Sequence, residues 1–192
     1  MLILLSHGAS TAQDDNIVSG QVNDQLSEGG KLEAIEAAKS LADYDIDVVF
    51  CSDLERCQDT ANIVLSGNHF SDNVELILVQ ELRERSFGSL EGTPYPVVRK
   101  QLPPKKYKLW NRDYFEAPPQ GESLQDVEQR VIPFLKENAF ALADDNKNIL
   151  IVTHNDVVKT IIGHLKKSDE TDIIKWKIEN AIPYFFYGKT IT

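Results

Sequence analysis

Three short apolar runs constrain this chain more than any other feature: Leu2 to Leu5, Ile46 to Phe50 and Ile149 to Val152. Each is rich in Ile, Leu or Val and stops abruptly at polar residues. Such runs suit strands buried on both faces, as in a parallel sheet covered by helices. Val74 to Val79 and Pro183 to Tyr187 are further strand candidates. The opening MLILLSHG has no basic flank and no cleavage site, so it reads as a buried strand and not as a secretion signal.

Helical patterns lie between the runs. Ser27 precedes KLEAIEAAKSLA, which places Leu32, Ile35, Ala38, Leu41 and Ala42 on one face. Ser52 with Glu55 has the spacing of a capping box ahead of Cys57, Ala61, Ile63 and Val64. Ser123 with Asp126 opens a third helix carrying Val127, Val131, Phe134 and Leu135 inward, and Asp156 begins a fourth with Val157, Val158, Ile161, Ile162 and Leu165. Ser168 is positioned to cap a short fifth. Strand and helix in alternation predict a layered α/β fold, with residues 1–192 as a single domain. Residues 93–121 break the rhythm with Pro94, Pro96, Pro103, Pro104, Pro118 and Pro119, and are expected to form an excursion that covers something.

The 192 residues carry a formal charge of −10, which argues against a nucleic-acid or anionic-membrane surface. A phosphate binder of this composition must concentrate its positive charge locally. No apolar run approaches the roughly 20 residues that span a bilayer. Cys51 and Cys57 do not make a disulfide scaffold; packing is their expected role, in a reducing, cytoplasmic setting.

In open α/β sheets, ligands bind beyond the carboxyl ends of the strands. Three runs end there in Ser6-His7-Gly8, Cys51-Ser52-Asp53 and Thr153-His154-Asn155, and Arg56 lies in the first turn after the second run. Parallel strands would bring His7, Arg56 and His154 to one edge. The chemistry of that group is phosphoryl transfer. One imidazole attacks phosphorus while its other ring N–H is held by a carbonyl. A second imidazole and a guanidinium stabilise the equatorial oxygens, and a protonated carboxyl donates its proton to the leaving oxygen. His69 reads as a surface loop residue and His164 as a half-buried helix histidine.

At these residues the sequence resembles the histidine phosphatase superfamily, and within it the cofactor-dependent phosphoglycerate mutase branch. LLSHGAST stands where the family carries Arg-His-Gly, which makes His7 the residue expected to be phosphorylated. NIVSGQVNDQLSEGG is similar to the loop that places Ser10, Asn16 and Gly20 near the phosphate, and VVFCSDLERCQDTA to the segment supplying the arginine, Arg56. ELRERSFGSLEG resembles the proton-donor segment, with Glu84 as the acid; ILIVTHNDVVKTIIGHL resembles the second-histidine motif, with His154. YKLWNRDYFEAPPQGESLQDVEQRV, with Trp110 and Gly121-Glu122-Ser123, and the closing AIPYFFY look like the mutase branch. The resemblance implies a three-layer α/β/α sandwich with a mostly parallel central sheet.

Four departures shape the expected function. Ser6 stands where the family has arginine, which removes a charge-assisted phosphate donor. Asn155 and Asp156 replace small or neutral residues, and Asp156 is unfavourable beside a dianion unless it turns away. Asn111-Arg112 replaces a pair of arginines, leaving Arg112 to hold the far end of the substrate. The sequence closes at Thr192, leaving little tail to serve as a lid. Arg83, Arg85, Arg99 and Lys100 are candidates to replace lost charge, with Arg83, Lys100 and Asn155 counted among the substrate contacts. The expectation is a phosphatase working through phospho-His7 on a small phosphomonoester. The alternatives are a mutase interconverting 3- and 2-phosphoglycerate, primed by 2,3-bisphosphoglycerate, and a degenerate, non-catalytic phospholigand binder. No metal is expected. The only partners expected are the small phosphorylated substrate and, as an option, a second copy of the chain.

Overall fold

The computed structural model describes residues 1–71, 74–101, 103 and 113–187. Strands β1 (Leu2–Ser6), β2 (Val48–Ser52), β3 (Glu75–Val79), β4 (Ile149–Thr153) and β5 (Pro183–Phe186) form one sheet in the order β3-β2-β4-β1-β5. The first four in that order are parallel; β5 runs antiparallel along β1. The apolar runs thus become strands, and β1 and β4, buried at every position, lie in the middle of the sheet.

The described α-helices are α1 (Thr11–Asp14), α2 (Glu28–Leu41), α3 (Glu55–Ser66), α4 (Tyr95–Gln101), α5 (Leu124–Leu135), α6 (Ala141–Asp144), α7 (Asn155–Lys166) and α8 (Glu170–Ile173), with short 3-10 turns at Gln80–Leu82 and Gly88–Leu90 and a π-helical turn at Lys136–Phe140. Strand alternation sorts the core into two layers. Leu2, Leu4, Ile149 and Ile151 face α5 and α7 through Val127, Val131, Leu135, Val158 and Ile161. Ile3, Leu5, Leu150 and Val152 face α2 and α3 through Ala37, Ala38, Leu41, Ala61 and Val64. This is the expected three-layer sandwich. Among the described residues no helix is long and apolar enough to cross a membrane.

Three local expectations change. The buried stripe of α2 is Gly30, Ala34, Ala37, Ala38 and Leu41, whereas Leu32 and Ile35 are 64% and 41% exposed. Small residues win the inner face because the helix seats almost backbone-to-backbone: a Cβ on Gly30 would collide with Ala9 O, and one on Gly8 with Gly30 O. Ser52 is the last residue of β2 and does not cap α3, whose N-cap is Leu54. The N-cap of α8 is Asp169, one residue beyond Ser168. The capping box of Ser123 and Asp126 forms as the spacing predicts. Of the excursion at 93–121, α4 buries Val98 against Val18 and Leu90 in a small satellite core.

Candidate active site

The register of β1 and β4 builds the centre of the site. Ser6 sits opposite Thr153, so His7 and His154 leave the sheet side by side. The His7 amide donates to Thr153 O at 2.9 Å, and the two rings meet edge-on with centroids 5.0 Å apart. Strand β2 flanks β4 on its other side, and the helix that follows it brings Arg56 over the same edge.

His7 Nδ1 lies 2.6 Å from Gly8 O, which can only accept, so Nδ1 carries the proton and Nε2 the lone pair. Burial, reinforced by the Arg56 guanidinium, holds the ring down to a pKa of about 3, and it is neutral at pH 7. Arg56 Nε–H donates to His7 Nε2 at 3.2 Å. The rest of its fork is anchored on the loop before α2, with Nη2 donating to Gly20 O at 2.7 Å and Nη1 to Val22 O and to Asp24 Oδ1. Gly20 has φ +54, and a side chain there would meet Glu91. His154 is fully buried, with Nε2 2.9 Å from Ser52 Oγ and 3.4 Å from Cys57 Sγ. Burial, then Arg56 and His7, push its pKa well below the usual value. The Cys57 thiol is pushed up by burial and stays protonated.

A cavity of about 220 Å³ opens over this group, a volume suited to a small molecule. Its first wall is His7, Ser10, Gln13, Ser19, Gly20 and Arg56. Its second wall includes Glu84, Arg85, Phe87, Asn155, Asp156 and Lys159. Burial, with the Asp156 carboxylate beside it, raises the Glu84 pKa to about 7, so this acid retains a proton near neutrality. Arg130 and Gln21 fix its backbone by donating to Glu84 O at 3.1 and 3.0 Å. Burial works against ionisation of Asp156, yet Arg85 at 2.9 Å and Lys159 at 3.1 Å hold its pKa below the usual value.

Of the residues singled out from sequence, His7, Arg56, Glu84, Ser10, Gly20 and Asn155 line the cavity. His154 touches the group from behind and is not among the lining residues. Ser6 is wholly buried in the sheet, off the cavity, and its Oγ makes no hydrogen bond among the described residues. Asn16 is exposed and does not line the cavity; its backbone O accepts from the Tyr95 amide. Arg83 points away and clamps Asp53 through two bonds of 2.7 and 2.6 Å, so Arg85 is the cation of this segment that reaches the site. Lys100 is exposed on α4 and does not line the cavity. Arg112, with Trp110 and Asn111, lies outside the described residues. Lys159 was missed; its spacing from Asp156, one helical turn on, was the available signal. Asp156 does not turn away: it stays in the wall, neutralised by its two cations. Among the described residues, no group of three or more His, Cys, Asp or Glu side chains is placed to hold a metal ion.

Comparison with known proteins agrees with this geometry. Residues 2–183 match the histidine phosphatase superfamily (branch 1). The 2,3-bisphosphoglycerate-dependent phosphoglycerate mutase of Chlamydia trachomatis serovar L2b is 34% identical over 218 aligned positions, covering 100% of this chain and 96% of that protein. The alpha-ribazole phosphatase of Shigella flexneri superposes with a TM-score of 0.79 at 30% identity, over 95% of this chain and 87% of that one. The mycobacterial glucosyl-3-phosphoglycerate phosphatase shares the fold, with a TM-score of 0.83 at 24% identity over 95% and 87% of the two chains. From the paired histidines at the sheet edge to the match along nearly its whole length, the chain belongs to the histidine phosphatase superfamily.

Proposed function

We propose that the chain is a phosphatase that hydrolyses a small phosphomonoester through phospho-His7. One observation carries the reading: a neutral His7 with its lone pair on Nε2 shares a cavity with Glu84, an acid tuned to about pH 7. His7 Nε2 attacks phosphorus in line, and the bond from phosphorus to the leaving oxygen breaks as Glu84 transfers its proton to that oxygen. The Glu84 carboxylate then takes a proton from water, which attacks phosphorus, breaks the P–N bond and releases phosphate. Arg56 offsets charge on the equatorial oxygens. Neutral His154, edge-on to His7 and with its Nε2 2.9 Å from Ser52 Oγ, supports the nucleophile's ring from behind.

A mutase is the second reading, favoured by the name and 34% identity of the chlamydial relative. It would take 2,3-bisphosphoglycerate as primer. The described residues fit that polyanion poorly, because the three lining cations already face carboxylates: Arg56 faces Asp24, and Arg85 and Lys159 face Asp156. The alignment over 218 positions against 192 residues also means that the mutase carries insertions without a counterpart here.

Incubation with a labelled phosphodonor should give an acid-labile, alkali-stable adduct that is lost in His7→Ala. Release of phosphate from an aryl phosphate marks the phosphatase. Formation of 2-phosphoglycerate from 3-phosphoglycerate, dependent on bisphosphoglycerate, marks the mutase. No adduct with any donor would leave a non-catalytic phospholigand binder.

A further inference from the structure

The second wall of the cavity is charged and yet largely spent. Arg85 Nε and Lys159 Nζ lie 2.9 and 3.1 Å from the two oxygens of Asp156, and all three side chains are mostly shielded from water. A substrate carboxylate or second phosphate arriving at this wall would meet a fixed anion between the two cations that would otherwise grip it. Glu84, Asn155 and Asp113 share this cavity with the trio, and so do Phe87, Tyr95, Leu124 and Ile174, which give it an apolar side; the Arg85 guanidinium lies over the Phe87 ring at 4.7 Å. Like charge built against an unwanted ligand is a familiar route to selectivity.

We propose that Asp156 is a specificity-determining residue that excludes substrates with a second anionic group. The accepted class is then phosphomonoesters whose leaving alcohol is uncharged and presents an apolar or aromatic face. This rests on the phosphatase reading and sharpens it. The internal anion already pairs with both cations, so a neutral leaving group needs no counter-charge, and its flat face packs against the Phe87 and Tyr95 side chains that line the same cavity.

The test compares kcat/KM for phenyl phosphate and 3-phosphoglycerate in the whole protein and in Asp156→Asn. The wild type should prefer phenyl phosphate, and the variant should shift the ratio toward 3-phosphoglycerate by about tenfold or more. An unchanged ratio in a folded Asp156→Asn protein, or a wild type that prefers 3-phosphoglycerate, overturns the proposal. Should the variant not fold, competition against wild-type protein by phenylphosphonate and 3-phosphonopropionate decides instead: tighter binding of phenylphosphonate supports the proposal, and tighter binding of the carboxylate-tailed compound overturns it. If the wild type hydrolyses neither ester while the binding preference holds, the phosphatase reading fails and the selectivity stands.

Discussion

Arg56 Nε–H points straight at His7 Nε2, 3.2 Å away, so the attacking lone pair is capped by the cation meant to receive the phosphate. Substrate must enter between the two. The same guanidinium is paired with Asp24, itself only 10% exposed, so its charge is partly cancelled before any ligand arrives. Asp24→Asn should therefore tighten inhibition by inorganic phosphate or vanadate by about three- to tenfold. Unchanged or weaker inhibition would mean that Asp24 orients Arg56 and does not temper its charge.

Glu84 must be protonated when the leaving oxygen departs. With its pKa raised to about 7, hydrolysis should fall as pH rises above neutrality. Glu84→Gln should lower turnover by about 10²- to 10⁴-fold and abolish that alkaline limb. Asp156 contributes to the raised value, so in Asp156→Asn the limb should move to lower pH. A pH–rate profile of the three proteins reads all of this, and a limb that persists in Glu84→Gln would assign the acid elsewhere.

Stability carries the same charges. Below about pH 6.5 an unfolded chain protonates both imidazoles, whereas the fold keeps His7 neutral to about pH 3 and His154 neutral well below its usual value. Glu84 works the other way, since the folded state holds its proton up to about pH 7. Between roughly pH 6.5 and 4.5 these three groups take up a net single proton on unfolding, so their contribution falls as the pH drops. His7→Asn should flatten that slope in urea titrations at pH 6.5 and 5. An unaltered slope would show that His7 is already charged in the fold.

Ser6 departs most plainly from the pattern its neighbours follow. Its Oγ makes no hydrogen bond among the described residues, so replacing it breaks none. Ser6→Arg should raise turnover by at least about tenfold by restoring a charge-assisted donor at the strand end. Equal turnover in a folded variant would mean that the new side chain does not reach the cavity from this buried strand position.

What was legible in the sequence follows from periodicity and strand ends. The buried runs predicted the strands, and strand-end placement alone brought His7 and His154 to one edge, because parallel register leaves little freedom there. Side-chain direction was less readable. Arg83 and Arg85 lie two residues apart after the turn at Gln80–Leu82, and which one enters the cavity depends on the positions of Asp53 and Asp156, which no local pattern encodes. The inner face of α2 was misassigned for a related reason. Ala38 and Leu41 face inward as expected, but the close backbone approach at Gly30 leaves room only for small residues along the first turns, so Leu32 and Ile35 are turned out.

The contact of Gly8 with Gly30 has a practical corollary. Because the attacking nitrogen's loop is moored to α2 by the backbone approach of Gly8 to Gly30 and by the Ala9 amide donating to Glu33 Oε2 at 2.7 Å, substitutions across the cavity leave that anchorage untouched. Diversifying Arg85, Phe87, Asp156 and Lys159 together is then a route to retuning which alcohol departs, with the nucleophile kept in place.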